Sequence, residues 1–230
     1  MSRSVHHSLK PAYVRRQSKF GVIDVRPDGY VRGLDDFPTP PWATRAFFKY
    51  VSTIKFARGM RLGFIDPACG RGHMVRTVRE RGFRCTASDV HDYGMPGAAV
   101  WDYCDRGVPL PAYDVMITNP PFKLAAEFAE RALDEARVGV AMLVRTLWAE
   151  GGRGGKRSRY ARIFEERPPT RIAIFSARMP ARAGVVIQHY PVFMSHSWFW
   201  WNKMQPLGRT EFTWIPPEAQ SELEREEDYA

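Results

Sequence analysis

Asn119-Pro120-Pro121-Phe122 brings an amide, two stiff prolines and an aromatic ring together within four residues. An aromatic amine, such as the exocyclic amino group of adenine, is a poor nucleophile because its lone pair is delocalised into the ring. Two acceptors aimed at its two hydrogens draw the nitrogen toward tetrahedral geometry and stabilise the positive charge that grows during attack. The Asn119 side-chain oxygen and the Pro120 carbonyl suit that task, and the prolines hold both still. Phe122 suits stacking on a base. No strong general base is needed, since the proton leaves easily once the nitrogen is alkylated. A proline turn with Phe122 in the core is the structural alternative.

A second group of residues precedes the clamp. Asp66-Pro-Ala-Cys-Gly-Arg-Gly72 reads as a strand-to-helix turn, in which Gly70 and Gly72 let backbone approach a ligand. Asp89 closes the next strand, where a carboxylate accepts ribose hydroxyls in dinucleotide folds. Asp102, at the end of a third strand, suits an adenine amino group. The third glycine of the dinucleotide fingerprint is absent. The spaced set therefore points to a nucleoside-bearing cofactor more strongly than its glycine pair does alone.

The elements that must position these residues follow from periodicity. Apolar runs predict strands at 62–66, 83–89, 98–102, 113–118, 139–144, 171–175 and 192–201. Thr39 is placed to cap a helix that begins at Pro40 and buries Phe47, Tyr50, Val51 and Ile54. Further helices are expected at 73–81, ended by Gly82, and at about 122–136, with Leu124, Phe128 and Ala132 on one face. Strands alternating with helices imply an α/β, Rossmann-like, doubly wound and mostly parallel sheet. The clamp then sits at the carboxyl end of a strand, where such sheets bind ligands.

The chain is read as a basic arm over 1–35, one catalytic domain over 36–215 with a basic loop at 151–163, and an acidic tail over 216–230. Its 230 residues are 44% hydrophobic, as in a globular domain with a substantial core. The net charge is +9, although six acids against one base from Pro217 onward leave the rest at +14. That field favours a polyanion, with nucleic acid the first candidate. Arg153, Lys156, Arg157 and Arg159 in the basic loop are candidates for phosphate contact. Cys69, Cys85 and Cys104 form no metal-type pair and read as free thiols, so no metal site is expected. No apolar run spans a bilayer and no signal peptide is evident at the start, so a cytoplasmic protein is expected.

With these motifs in order, the chain resembles the S-adenosylmethionine-dependent amino-methyltransferases, and among them the DNA adenine-N6 methyltransferases. Asp36-Phe-Pro-Thr-Pro-Pro, then the glycine turn, then Asn-Pro-Pro-Phe is similar to the gamma arrangement of that family, over about residues 36–146. The resemblance implies a seven-stranded sheet whose last strand is antiparallel. It implies S-adenosylmethionine as cofactor, with Thr39 and Pro40 bordering its methionine end. Asp66, Gly70 and Gly72 would line it, Asp89 would hold the ribose, and Asp102 the cofactor adenine. Asn119, Pro120 and Phe122 would grip a flipped adenine of DNA. Little of the sequence is left over for a separate recognition domain beyond the basic loop at 151–163, the stretch 176–190 and the tail, so a short or relaxed target sequence is expected. Such a small enzyme would suit a restriction-modification or phage setting. Cytosine C5 chemistry is disfavoured, because Cys69 lies in the cofactor turn. RNA or a protein glutamine as substrate, and a non-catalytic DNA-binding role on the same fold, remain the alternatives.

Overall fold

A computed structural model of the chain describes residues 35–229 apart from 58, 152, 153, 157, 190–193, 206 and 207, together with the backbone of three early strands. Those strands, β1 (Val14–Ser18), β2 (Gly21–Val25) and β3 (Val31–Arg32), form an antiparallel sheet within the stretch expected to be a basic arm. The remaining strands are β4 (Gly63–Asp66), β5 (Arg84–Asp89), β6 (Ala99–Val100), β7 (Val115–Thr118), β8 (Gly139–Arg145), β9 (Arg171–Phe175), β10 (His196–Asn202) and β11 (Glu211–Ile215). The helices are α1 (Pro41–Ala46), α2 (His73–Glu80), α3 (Ala125–Glu135) and α4 (Ala219–Leu223). No helix among the described residues is long and apolar enough to cross a membrane.

The eight strands from β4 onward form one sheet in the order β11-β9-β10-β8-β7-β4-β5-β6. The chain winds outward from β4 through β5 to β6, returns to place β7 on the other side of β4, and winds outward again. This α/β, doubly wound arrangement has a topological switch point between β4 and β7, where a crevice opens at the carboxyl ends of the strands. Those pairings are parallel, whereas β10 runs antiparallel to both β8 and β9. The sheet thus contains the expected late antiparallel strand. It also has an eighth strand, β11, which pairs parallel to β9 at the edge.

Strong alternation builds both faces. Trp198 and Trp200 of β10 enter the core under α1 and α2, while Phe199 and Trp201 enter the core under α3. The indole nitrogens find acceptors, with Trp198 Nε1 donating to the Ala43 carbonyl at 3.0 Å and Trp201 Nε1 to the Arg167 carbonyl at 2.8 Å. A side chain at Gly139 would collide with the Trp200 ring, so the close approach of β8 to β10 requires glycine there.

Several boundaries shift from expectation. The helix-capping residue is Pro40, with Pro41 in the first turn, and Thr39 makes no cap hydrogen bond. The helix continues past Ala46 as a π-helical turn, Phe47–Val51, which buries Phe47 and Val51 but stops short of Ile54. Leu124 lies ahead of α3 and is 41% exposed, so only Phe128 and Ala132 of its expected face reach the core. The third strand contracts to β6 and leaves Asp102 in the following turn. Of the expected late strand, 192–193 fall outside the described residues, and pairing begins at His196.

The acidic segment folds back on α1. Arg45 donates to both Asp228 carboxylate oxygens, at 2.7 and 2.8 Å, and to the Leu223 carbonyl at 2.8 Å. Lys49 and Tyr50 also reach Glu222. Arg45 and Asp228 are both buried, so removing one partner strands the other charge. Arg45→Ala is expected to lower unfolding free energy by about 3–5 kcal/mol. Denaturant titration checks this, and a loss below about 0.5 kcal/mol would mark the pair as a surface contact.

Candidate active site

The two halves of the expected site meet at the switch point. Ile65 lies level with Met116, so Asp66 ends β4 beside the end of β7. Thr118 Oγ1 donates to Asp66 Oδ1 at 2.7 Å, and the Ala68 amide donates to the same oxygen at 3.3 Å. Burial pushes the Asp66 carboxyl up from its ordinary value near 3.8 to about 7. Beyond it the chain turns with Gly70 at φ +50° and Gly72 at φ +80°, both in the left-handed region. A Cβ on Gly72 would strike the Met95 thioether, whereas one on Gly70 would meet nothing within 4 Å. Gly72 is thus needed for packing and Gly70 leaves open space beside the backbone.

Asp89, at the end of β5, is tied to that turn. Its Oδ2 accepts from the Gly70 amide at 2.9 Å and its Oδ1 from the His91 amide at 3.1 Å. The carboxyl is buried and pushed up to about 6, chiefly by desolvation. The carboxylate keeps lone-pair capacity beyond these amide contacts for a hydroxyl. Asp102 is exposed, and its Oδ1 accepts from the Cys104 amide at 2.8 Å.

The clamp is anchored from behind. Asn119 Nδ2 donates to the Phe37 carbonyl at 3.2 Å and to Thr39 Oγ1 at 3.1 Å. Both amide hydrogens are thereby engaged, and no donor among the described residues takes Oδ1 or the Pro120 carbonyl. Asn119 thus offers an acceptor, held in place by its own NH₂ group. The Phe122 amide donates to Asp35 Oδ2 at 2.9 Å, which fixes the other end of the clamp to the same segment. Thr39 thus serves the clamp instead of capping α1.

A single cavity of about 560 Å³ joins these parts. Thr39, Asp66, Gly70, Asp89, Asp102 and Asn119 all line it. Pro40, Gly72, Pro120 and Phe122 lie outside the lining; Pro40, Gly72 and Pro120 are buried, and Phe122 packs against Phe37 with ring centroids 5.8 Å apart. Wall residues that sequence reasoning left unassigned include Asp36 and Arg71, which pair at 3.3 Å, and Tyr93, over which Arg71 lies at 5.7 Å. Arg71 stands between the two turn glycines and Asp36 opens the Phe-Pro-Thr-Pro-Pro run, which is the signal that could have marked them. His73 also lines the cavity, and burial with nearby Arg76 and Arg71 lowers its imidazole to about 4, so it is neutral at pH 7.

In the basic loop, Arg153 and Arg157 lie outside the described residues. Lys156 is exposed. Arg159 is half-buried, donating through Nε to the Trp148 carbonyl at 3.2 Å. Arg162, further along, is held by Glu130.

No family model matches the chain, and no curated protein matches it in sequence. Solved structures match in fold. A Listeria monocytogenes protein assigned to the class I S-adenosylmethionine-dependent methyltransferases superposes with TM-score 0.55 at 13% identity, over 78% of this chain and 65% of that one. A Vibrio vulnificus protein assigned as the modification subunit of a type I restriction enzyme gives 0.53 at 15%, over 81% and 51%. The fold is that of the class I methyltransferases. A Pyrococcus horikoshii protein assigned as an RNA methyltransferase gives 0.51 at 14% identity, over 74% and 88%. This chain spans only 65% and 51% of the first two proteins, and these likenesses are of fold.

The raised carboxyl of Asp66 sets a pH-dependent stability. Between its unfolded value near 3.8 and its folded value near 7, the folded state binds more protons, so stability falls as pH rises across that window. Asp66→Asn keeps an oxygen for Thr118 and Ala68 and removes the buried charge. The gain in Tm of this variant over the parent is expected to be larger at about pH 8 than at about pH 5. Equal differences at both pH values would contradict the burial argument.

Proposed function

We propose that the protein transfers a methyl group from S-adenosylmethionine to the exocyclic N6 amino group of adenine in DNA. The observation that carries this reading is Asn119, which lines a cavity shared with the Gly70 turn and Asp89, its NH₂ held by Phe37 and Thr39 while no donor among the described residues takes Oδ1. The donor set suits the cofactor. Asp89 offers lone pairs to ribose hydroxyls, Gly70 leaves open backbone beside it, and Asp102 stands further along the wall. When bound, S-adenosylmethionine supplies a methyl group on a sulfonium, which receives the amine's lone pair as the carbon–sulfur bond breaks.

The chain's own residues prepare the amine. Asn119 Oδ1 accepts one of its hydrogens, the Pro120 carbonyl accepts the other once the entering base opens the packing that buries it, and together they pull the nitrogen lone pair out of conjugation. The same two oxygens stabilise the positive charge that develops on nitrogen, and the extra proton then departs to water. Alignment within one cavity supplies a further share of the rate. A target adenine reaches the cavity by flipping out of the duplex.

Nucleic acid as the substrate rests on the +14 charge outside the acidic segment, on exposed Lys123 in the cavity wall, and on the basic loop with Arg153, Lys156, Arg157 and Arg159. The fold likeness to a restriction-modification subunit agrees with DNA. The second reading, an RNA N-methyltransferase, draws on the same clamp and charge and on the likeness to the Pyrococcus protein. The purified protein with labelled S-adenosylmethionine is expected to label unmethylated DNA at adenine N6. Labelling of RNA or protein with none in DNA would replace this reading.

Asn119→Ala is expected to lower transfer by about 10²–10³-fold, the usual cost of one lost transition-state donor or acceptor. Affinity for S-adenosylhomocysteine, measured by calorimetry, should stay near that of the parent. Undiminished transfer would show that Asn119 does not act on the amine. Cofactor affinity is also expected to fall below about pH 6, where Asp89 takes up a proton and loses acceptor capacity. Asp89→Asn should bind more weakly at pH 8 and show a flatter profile. An unchanged slope would remove Asp89 from the cofactor site.

A further inference from the structure

Arg145 ends β8 beside the clamp. β7 and β8 run parallel with Thr118 level with Met142, so Arg145 comes level with the residues that follow Asn119. Its guanidinium lies 3.8 Å from the centre of the Phe122 ring. One face of the ring assigned to stack on the target base is therefore already covered in the free protein.

The described surroundings leave this cation without an anion. Arg145 is half-buried, its Nε is buried without a hydrogen-bond partner, and no carboxylate among the described residues pairs with it. Directly across the antiparallel pair stands His196. His196 is 3% exposed and its Nδ1 has no partner among the described residues. Burial, with Arg145 nearby, pushes that imidazole down to about 4, so it is neutral at pH 7 and brings no negative charge. A guanidinium that is partly desolvated, unpaired and adjacent to a binding cavity is matched by an anion on the ligand.

We infer that Arg145 binds the backbone phosphate next to the target nucleotide, and that its stacking on Phe122 is the resting position it leaves when the base arrives. The inference rests on the nucleic-acid reading above and names what that substrate must carry. Planar guanidinium donors match phosphate oxygens two at a time. Hydrogen bonds of that charged kind outweigh contact with an aromatic face at an open site, so the exchange runs toward phosphate. The vacated ring face then receives the base, and one movement couples phosphate capture to base stacking. A protein glutamine has no such phosphate, so Arg145 separates nucleic-acid from amide substrates.

The test is binding of a fluorescent single-stranded oligothymidylate with one adenine, followed by anisotropy across a salt series with S-adenosylhomocysteine present. Arg145→Gln is expected to bind severalfold more weakly, and the slope of log affinity against log salt should shrink by about 0.7, the share of one single-strand phosphate. Arg145→Lys keeps the charge and should keep the slope. A methylphosphonate beside the adenine should weaken binding by the parent protein and leave Arg145→Gln unaffected. Unchanged melting temperature and S-adenosylhomocysteine binding in Arg145→Gln separate this effect from misfolding. A parental slope in Arg145→Gln, or a parent protein insensitive to methylphosphonates on either side of the adenine, would overturn the inference while leaving methyl transfer to nucleic acid intact. No oligonucleotide binding by the parent protein would overturn both.

Discussion

The hydrogen bond from Thr118 Oγ1 to Asp66 Oδ1 closes the seam between β4 and β7, at the point where the winding of the sheet reverses. On one side of that seam the chain enters the glycine turn, and on the other it enters the clamp. A strand end cannot hold a ligand by itself. Two strand ends whose following segments diverge leave a crevice between them, and here the crevice becomes one cavity. The bond keeps the two strand ends level, so the register of the glycine turn against the Asn119-Pro-Pro-Phe segment is set by backbone pairing and one threonine.

A second constraint comes from the segment ahead of α1. Asp35 and the Phe37 carbonyl hold the clamp through Phe122 and Asn119, and Asp36 pairs with Arg71 of the glycine turn. Residues 35–39 thus bridge both halves from outside the sheet. The carboxyls of Asp66 and Asp89 are buried there and titrate near neutrality. Their burial costs stability, and groups held at such a cost cluster where a ligand uses them. The cavity therefore concentrates acceptors, which suits hydroxyls and amines. The cation beside it, Arg145, stands at the clamp end.

Much of this was legible in the sequence because the informative residues are local. Asn119-Pro-Pro-Phe, the glycine turn, Asp66 and Asp89 stand at strand ends, and apolar runs locate those ends to within a few residues. The three indoles and the phenyl ring that fill both faces of β10 follow from alternation alone. What the sequence concealed depends on partners far along the chain. Thr39 looks like a helix cap because Ser and Thr commonly cap, yet Asn119, eighty residues on, takes its hydroxyl. The acidic end looked like a tail because charge runs are usually solvated, but buried Arg45 gives Asp228 a reason to dock. Arg145 had no local mark at all, since its meaning comes from Phe122, beyond the end of the neighbouring strand, and from neutral His196 opposite.

The proposed chemistry turns on Asn119, held by its own NH₂ group, presenting Oδ1 to an adenine amine. The most direct measurement is sequencing-based mapping of N6-methyladenine in genomic DNA from cells lacking other adenine methyltransferases that express either the parent chain or Asn119→Ala. N6-methyladenine is expected in a short sequence context with the parent chain and only in traces with the variant. Its absence from both, or equal methylation with both, would contradict that chemistry.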